Sequence, residues 1–431
     1  MSTVVACSTP FGSSALAVVR VSGKKTKSFI LSLQKKTKKI KHNSPFLSPL
    51  LDKDGDIFDE GVINVFFGPH SYTGEDLAEI SCHGNPIIIE NILSLACSFG
   101  CRIAEPGEFT KRAYLNGKID ISQAESVASL ISSKSLEGAK ISYKNLGGDL
   151  SAKVSIIKKE IISIVGEIEF NLDISEEDLQ PNLFERSFKK IDLLKEKLNG
   201  ALETSKKTNI LTLGANVVIA GPPNAGKSTL FNLFLEEERA IISEVPGTTR
   251  DVIQDTINID GMPIVLKDTA GIRRTKDSIE RAGINKTEKE LEKADLVLFL
   301  GKRTKNKEKK ENYIYVFNKS DIKDFPSVGY DIKISALKGK NIKKLKKLIK
   351  KKLSKETTVS SLVLTSKRQI ENIKMSKKLL EDSLKNLSTG TFLELVVEDL
   401  NSSIFYLDKI TEKTTKEDVL NSIFSSFCVG K

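Results

Sequence analysis

Apolar and polar residues alternate in short runs over the first 120 positions of the chain, and then the period lengthens. From Ser2 to about Asp120, ALAVVRVSG, GVINVFF and LAEISCHG have the two-residue alternation of half-buried strands, and PIIIENILSLACSFG is one apolar helix candidate. This mixture predicts an α+β domain over 1–119. Beyond Asp120, ISQAESVASLISSKSLEGAKISYKNL and KVSIIKKEIISIVGEIEF carry apolar residues three and four apart with few breakers, so each predicts a long helix. FERSFKKIDLLKEKLNGALETSKKT continues that pattern, giving a first helical part over 120–213. Near Gly214 the text becomes α/β: strand NVVIA, then GPPNAGKSTLFNLFL, strands PIVLK, DLVLFLG and YIYVFNKSD, and helix NIKKLKKLIKKKL, together spanning 214–356. Helices return over 357–431 in KRQIENIKMSKKLLEDSL, TFLELVVEDLNSSIFYLDKI and KEDVLNSIFSSF. The expected fold class is multidomain α+β: an N-terminal α+β domain and an all-helical domain whose two parts flank an inserted α/β module and pack together as one domain.

The inserted module carries the chemistry. GPPNAGKS, Gly221 to Ser228, fits G-x-x-x-x-G-K-[ST] after a strand and before an amphipathic helix, so backbone N–H groups and the helix start would face phosphates. Lys227 is expected to reach the β- and γ-phosphates and Ser228 to hold magnesium. Asp268 of DTAG, at a strand end, is the carboxylate expected to hold magnesium's bound water, and Gly271 can offer an N–H to the γ-phosphate. NKSD, Asn318 to Asp321, reads the base: only guanine presents a ring N–H beside an exocyclic amine, and the Asp321 carboxylate accepts from both. The nucleotide is therefore GTP, and SAL, Ser335 to Leu337, supplies the backbone contact for guanine O6. In PGTTRD, Pro246 to Asp251, Thr249 is the first choice to complete the magnesium shell and Thr248 the second. The motifs, in the order of a Ras-like P-loop GTPase, mark Asn224, Ala225, Gly226, Lys227, Ser228, Thr229, Ser243, Glu244, Val245, Pro246, Gly247, Thr248, Thr249, Asp268, Thr269, Ala270, Gly271, Asn318, Lys319, Ser320, Asp321, Ser335, Ala336 and Leu337 as nucleotide-contacting positions. Ile272 follows Gly271 where signalling GTPases place a water-orienting glutamine, so another group must take that task. Neutral oxygens of Asn224, Ser243, Val245 and Thr248 suit a hard, weakly hydrated monovalent ion.

Composition changes little of this. No window approaches a membrane span, and MSTVVACSTPF lacks a signal peptide's basic start and apolar core, so the expected place is the cytosol. The five cysteines form no CxxC pair, which argues against disulfides and structural zinc; Cys97 and Cys101, at helical spacing, read as two buried small residues. A net charge of +11 is as compatible with a lysine-rich surface as with a polyanionic partner. Cys428 is by residue type a buried filler, but its place three residues from the chain end tilts it towards function.

With these motifs in view, the chain resembles the MnmE (TrmE) family of tRNA-modification GTPases over nearly its whole length. SSALAVVRVSG, SYTGEDLAEISCHGNP and EPGEFTKRAYLNGKIDISQAESVASLI are similar to the family's folate-binding domain and its junction with the helical domain, and EDVLNSIFSSFCVGK to its C-terminal signature. LDISEEDL retains the family's acidic segment after the long helix. GKRTKNKEKKEN, Gly301 to Asn312, departs from it, being short and lysine-rich where relatives have room for a helix. The resemblance implies a homodimer that works with the FAD-carrying flavoprotein MnmG. Together they would add a (carboxymethyl)aminomethyl-type group to C5 of the wobble uridine of certain tRNAs, with a tetrahydrofolate supplying the one-carbon unit. It implies folate contacts at Arg20, Glu79, Lys118 and Lys431, which alone would be ordinary surface charges. Cations suit the folate glutamate tail and a carboxylate the pterin's donor edge. It also names potassium as the monovalent ion, held when two G domains meet, and makes Glu280 the water-orienting acid. With Glu280, Cys428 completes the expected catalytic set. Two other classes share the G motifs: a ribosome-assembly GTPase of the Era or EngA type, and a GTP-dependent scaffold. Neither needs the Arg20, Glu79, Lys118 and Lys431 set.

Overall fold

The structure, a computed structural model, describes residues 1–34, 40–172, 183–238, 254–268, 290–302, 311–322, 329–353, 362–389, 393–412, 417–425 and 427–430. The chain forms two compact units, Met1–Ala128 with Asp408–Lys431, and Ser129–Leu407. No helix among the described residues is long and apolar enough to cross a membrane.

The first unit contains β1 (Val4–Cys7), β2 (Ser14–Ser22), α1 (Thr26–Ser32), β3 (Phe46–Leu51), β4 (Ile57–Phe66), β5 (Leu77–Gly84), α2 (Pro86–Ser98), β6 (Arg102–Ile103) and α3 (Glu108–Leu115). The strands form one sheet in the order β3-β4-β5-β2-β1-β6, antiparallel except for the β1–β6 pair. The alternation read in the sequence puts Val19, Val21, Ile63, Val65 and Ile80 on one sheet face, against Phe29 and Ile30 of α1 and Ile89 and Ile92 of α2. Helix α2 starts where it does because the Asn85 side chain accepts from the Ile87 N–H and Pro86 occupies the first turn. Cys101 is buried as expected, but Cys97 is exposed, because α2 turns that position outward.

Helix α4 (Ile121–Ser132) runs across the boundary of the units, followed by α5 (Leu136–Leu146), α6 (Asp149–Leu172) and α7 (Leu183–Leu213). The single helix expected from Ile121 to Leu146 is thus two. Ser135 is extended (φ −139°, ψ 154°) and accepts from the Gly138 N–H while donating to the Leu211 carbonyl at 2.5 Å, and the Lys134 N–H goes to Thr212. These tertiary bonds outcompete the local i to i+4 ladder at a serine pair that favours caps.

The α/β module follows: β7 (Ala215–Ala220), α8 (Lys227–Glu238), β8 (Gln254–Ile259), β9 (Met262–Asp268), β10 (Leu296–Phe299), β11 (Tyr313–Phe317), β12 (Ile332–Lys333) and α9 (Ile342–Leu353). Its sheet runs β12-β11-β10-β7-β9-β8, parallel except for the β8 edge, a strand the sequence pattern did not reveal. Strand order reverses at β7, so the loop after β7 opens at the switch point where open α/β sheets bind ligands. Last come α10 (Lys367–Ser388), α11 (Leu393–Thr411) and α12 (Glu417–Phe424). From the two sides of the module, α7 and α10 lie along each other, and buried Ser376 and Ser403 hydroxyls bond at 2.8 Å between α10 and α11. The Ser366 side chain and Gln369 form a reciprocal capping box that starts α10.

Candidate functional site

The P-loop is shaped by three backbone positions. Gly221 has φ +147°, and a Cβ there would lie 2.8 Å from the Leu300 carbonyl oxygen. Asn224 is left-handed at φ +60°, and Gly226 has φ +89° with the Asn318 amide nitrogen only 2.3 Å from where a Cβ would be. Lys227, at the first turn of α8, folds back over this loop, with Nζ donating to the Gly221 and Pro222 carbonyls at 3.1 and 2.9 Å. Its ammonium thus lies against the P-loop backbone. Ser228 and Thr229 are exposed at the same helix start, where N–H groups favour anions. Asp268 ends β9 in register with Ile219 of β7, beside the P-loop strand.

Asn318 does more than stand in a motif. Its Nδ2 donates to the Ala225 carbonyl at 2.9 Å, and its Oδ1 accepts from the Ala336 N–H at 3.0 Å. One side chain therefore straps the P-loop to the loop of Ser335, Ala336 and Leu337. That loop is closed by reciprocal backbone bonds between Ser335 and Lys340, and the Ser320 N–H is held by the Ile334 carbonyl. Lys319 is left-handed at φ +64°, turning the segment back on itself. Among the described residues, the Asp321 Oδ1 and the Ser320 Oγ, both shielded from solvent, have no hydrogen-bond partner. A hydrogen bond from Ser335, helped by Asp321's own backbone amide and by the charges of Lys338 and Lys319, holds the Asp321 carboxyl below the ordinary range. An ionised acceptor with an unused oxygen is what the paired donors of guanine require, so the donor set fits that base. The strap by Asn318 was invisible in the sequence, because Ala225, Asn318 and Ala336 are brought together only by the sheet.

In the other unit, Arg20 and Glu79 are cross-strand partners on β2 and β5. Arg20 Nη2 and Nε both donate to Glu79 Oε1, at 2.5 and 3.1 Å, and Nη1 donates to the Gly430 carbonyl at 3.2 Å. The guanidinium also lies 5.8 Å from the Tyr72 ring centre and 5.6 Å from that of Phe109. Among the described residues these bonds use three of its five N–H donors. Ser8 Oγ donates to the same Gly430 oxygen at 3.0 Å, and the Gly107 N–H donates to the Cys428 carbonyl. Gly430, at φ +93°, admits no Cβ, which would meet the Cys7 oxygen at 2.6 Å. The chain end is thereby seated on β1 and β2 with Cys428 exposed, which removes the buried-filler reading of that thiol. Lys118 is exposed and donates from Nζ to the Pro69 carbonyl at 2.9 Å. Its loop rests on the 69–75 segment through Asn116 and Thr73, and Thr73 in turn bonds Ser22 at the end of β2. Arg20 and Glu79 thus touch, and Lys118 is tied to the same end of β2 through intermediates. Ser8, Tyr72 and Phe109 had no signal in the sequence that marked them.

Ser243, Glu244, Val245, Pro246, Gly247, Thr248, Thr249, Thr269, Ala270, Gly271, Glu280 and Lys431 lie outside the described residues.

The model of the MnmE helical domain matches residues 121–428, and that of the GTP-binding protein TrmE N-terminus matches residues 3–118. The chain is 38% identical to the tRNA modification GTPase MnmE of Aquifex aeolicus (strain VF5) over 445 residues, 99% of each chain. It is 38% identical over 456 residues to the protein of the same name from Thermotoga maritima, with all of both chains covered. The G domain of the T. maritima FeoB iron transporter is a distant likeness at 21% identity and a TM-score of 0.24, covering 32% of this chain and 98% of its own. With two family models spanning the two ends and relatives matched along their full length, the chain belongs to the MnmE (TrmE) family of tRNA-modification GTPases.

Proposed function

We propose that this protein is the GTP-hydrolysing subunit of a cytoplasmic tRNA-modification complex. It would act as a homodimer with an FAD-carrying MnmG-type flavoprotein to place a (carboxymethyl)aminomethyl-type group on C5 of the wobble uridine of tRNA. The observation that carries the nucleotide reading is Asn318 tying the P-loop to the 335–337 loop, with the half-exposed Asp321 carboxyl, held below its ordinary range, three residues further on. Full-length similarity to tRNA modification GTPases carries the tRNA reading and leaves nothing to favour an Era- or EngA-type factor.

In this reading Asp321 accepts from guanine and Lys227 leaves its carbonyls for the β- and γ-phosphates. Asn224, Ala225 and Gly226 turn backbone N–H groups towards the same phosphates. Ser228 and Thr249 hold magnesium, Asp268 stands in its outer shell, and Asn224, Ser243, Val245 and Thr248 hold potassium. When bound, the two cations neutralise charge developing on the transferred phosphoryl group. Glu280 orients the attacking water, the task for which Ile272 has no suitable atom. The exposed Asn224, left-handed at φ +60°, has its side chain available for a cation at this edge. A tetrahydrofolate one-carbon donor would be held by Arg20, Glu79, Lys118 and Lys431, with Cys428 near the reacting end; the Arg20 guanidinium suits its glutamate carboxylates.

The test is GTP turnover measured in potassium and in sodium for the parent and for Glu280→Ala. Fast hydrolysis in potassium alone, nearly abolished by the substitution with GTP affinity preserved, is the expected result. Equal turnover in both salts would remove potassium from the mechanism.

A further inference from the structure

The lysines of α9 fall into two sets. Ile342, Leu345 and Ile349 enter the core of the α/β module, which fixes the rotation of the helix. On its flanks, Lys346 pairs with Glu237 at 2.8 Å, Lys350 donates to the Asp260 carbonyl at 2.9 Å, and Lys352 donates to the Glu311 carbonyl at 3.0 Å. Lys343, Lys344, Lys347 and Lys351 are exposed, and no ion pair among the described residues engages them. Lys343, Lys347 and Lys351 are four apart, so they form one stripe with about 6 Å of rise per step. The helix contains no acidic residue.

On the other long helices several lysines, though not all, are matched. Lys153 pairs with Asp149, Lys189 with Glu185, Lys190 with Glu167 and Lys197 with Glu160. The outward lysines of α9 have no acidic residue on their own helix to pair with. Instead, like charges stand at i and i+4, an arrangement that destabilises a helix in isolation. Such a stripe gains most from a partner with regularly spaced negative charges, whose condensed counterions are released on contact. A membrane surface fits less well, because insertion needs a free apolar face and that of α9 is spent in the core.

We propose that the Lys343–Lys347–Lys351 stripe, flanked by Lys344, is a docking surface for an RNA phosphate backbone. The occupant is the tRNA of the function proposed above, on which this inference rests. The contacts are to phosphates, so they position the RNA without reading its sequence.

The experiment measures binding of a fluorescently labelled, unmodified tRNA to the full chain at 50 and 200 mM KCl. The parent is compared with Lys343→Gln/Lys347→Gln/Lys351→Gln and with a scattered control of equal charge change, Lys24→Gln/Lys53→Gln/Lys140→Gln, all at exposed positions. Glutamine keeps helix propensity close to that of lysine. Three lost phosphate contacts lower the log–log salt slope by about 0.7–0.9 each, so over this fourfold salt range the parent should lose about 20–40-fold more affinity than the stripe variant. The control should follow the parent, and GTP turnover should be unchanged in all three. An unchanged slope in the stripe variant overturns the inference. So does an equal change in the control, which means net charge alone, or a stripe that governs binding to phosphatidylserine vesicles and not to tRNA. Turnover and guanine preference on the same preparations separate the two levels: if both hold while tRNA binding ignores the stripe, only this inference falls.

Discussion

Replacing Asn318 by alanine should uncouple the P-loop from the loop that backs the base. The structure assigns this side chain two bonds, to the Ala225 carbonyl at 2.9 Å and from the Ala336 N–H at 3.0 Å. Truncation removes both and leaves two backbone groups in a part-buried place without partners, at about 1–2 kcal/mol each, or about 2–4 kcal/mol together. Because the nucleotide must then order both loops itself, that loss should appear mainly in binding. GTP affinity should fall by about 30- to 700-fold. Asn318→Asp sharpens the test. It keeps an acceptor for Ala336 but sets a carboxylate oxygen against the Ala225 carbonyl, so it should bind GTP more weakly than the alanine variant. Titration with a fluorescent GTP analogue reads both affinities, and thermal unfolding reports any general loss of the module. Alanine within threefold of the parent, or aspartate binding as tightly as asparagine, would refute the strap.

Three further outcomes test the rest of the structure. Asp321→Asn should lower GTP affinity by roughly a hundredfold or more and shift preference to xanthosine nucleotides, because the amide donates where the carboxylate accepted; unchanged GTP affinity in competition titrations would reject Asp321 as the base reader. Gly430→Ala, strained at φ +93° and 2.6 Å from the Cys7 oxygen, should unseat the chain end from Arg20 and Ser8. Calorimetry should then show weakened reduced-folate binding with GTP binding intact, and equal folate affinity would detach the tail from that site. Burial pushes the Glu108 carboxyl up, but Arg102, the Glu105 amide and Arg112 outweigh it and hold it below the ordinary value. A depressed carboxylate stabilises the fold above its unfolded value and loses that contribution as pH falls through the lower folded one. Stability should therefore decline in acid below about pH 4.3, and less steeply in Glu108→Gln; identical acid melting of the two proteins would show that Glu108 contributes nothing there.

The sequence by itself determined whatever depends on neighbours along the chain. The alternation of ALAVVRVSG and LAEISCHG became β2 and β5, the 3–4 spacing of KVSIIKKEIISIVGEIEF became α6, and GPPNAGKS placed its loop between β7 and α8 because glycine and the helix start act locally. What only tertiary structure decided depends on residues far apart in sequence. The break at Ser135 needed the Leu211 carbonyl, which no window of the sequence contains, and β8 became a strand by pairing with β9. Asn318 gained its strap when parallel strands aligned loops more than ninety residues apart. Arg20 met Gly430 across 410 positions, which fixed the exposure of Cys428. The division of the α9 lysines into tethered and outward-facing sets likewise waited on the packing of Ile342, Leu345 and Ile349, because a run of like residues has no side until a core gives it one.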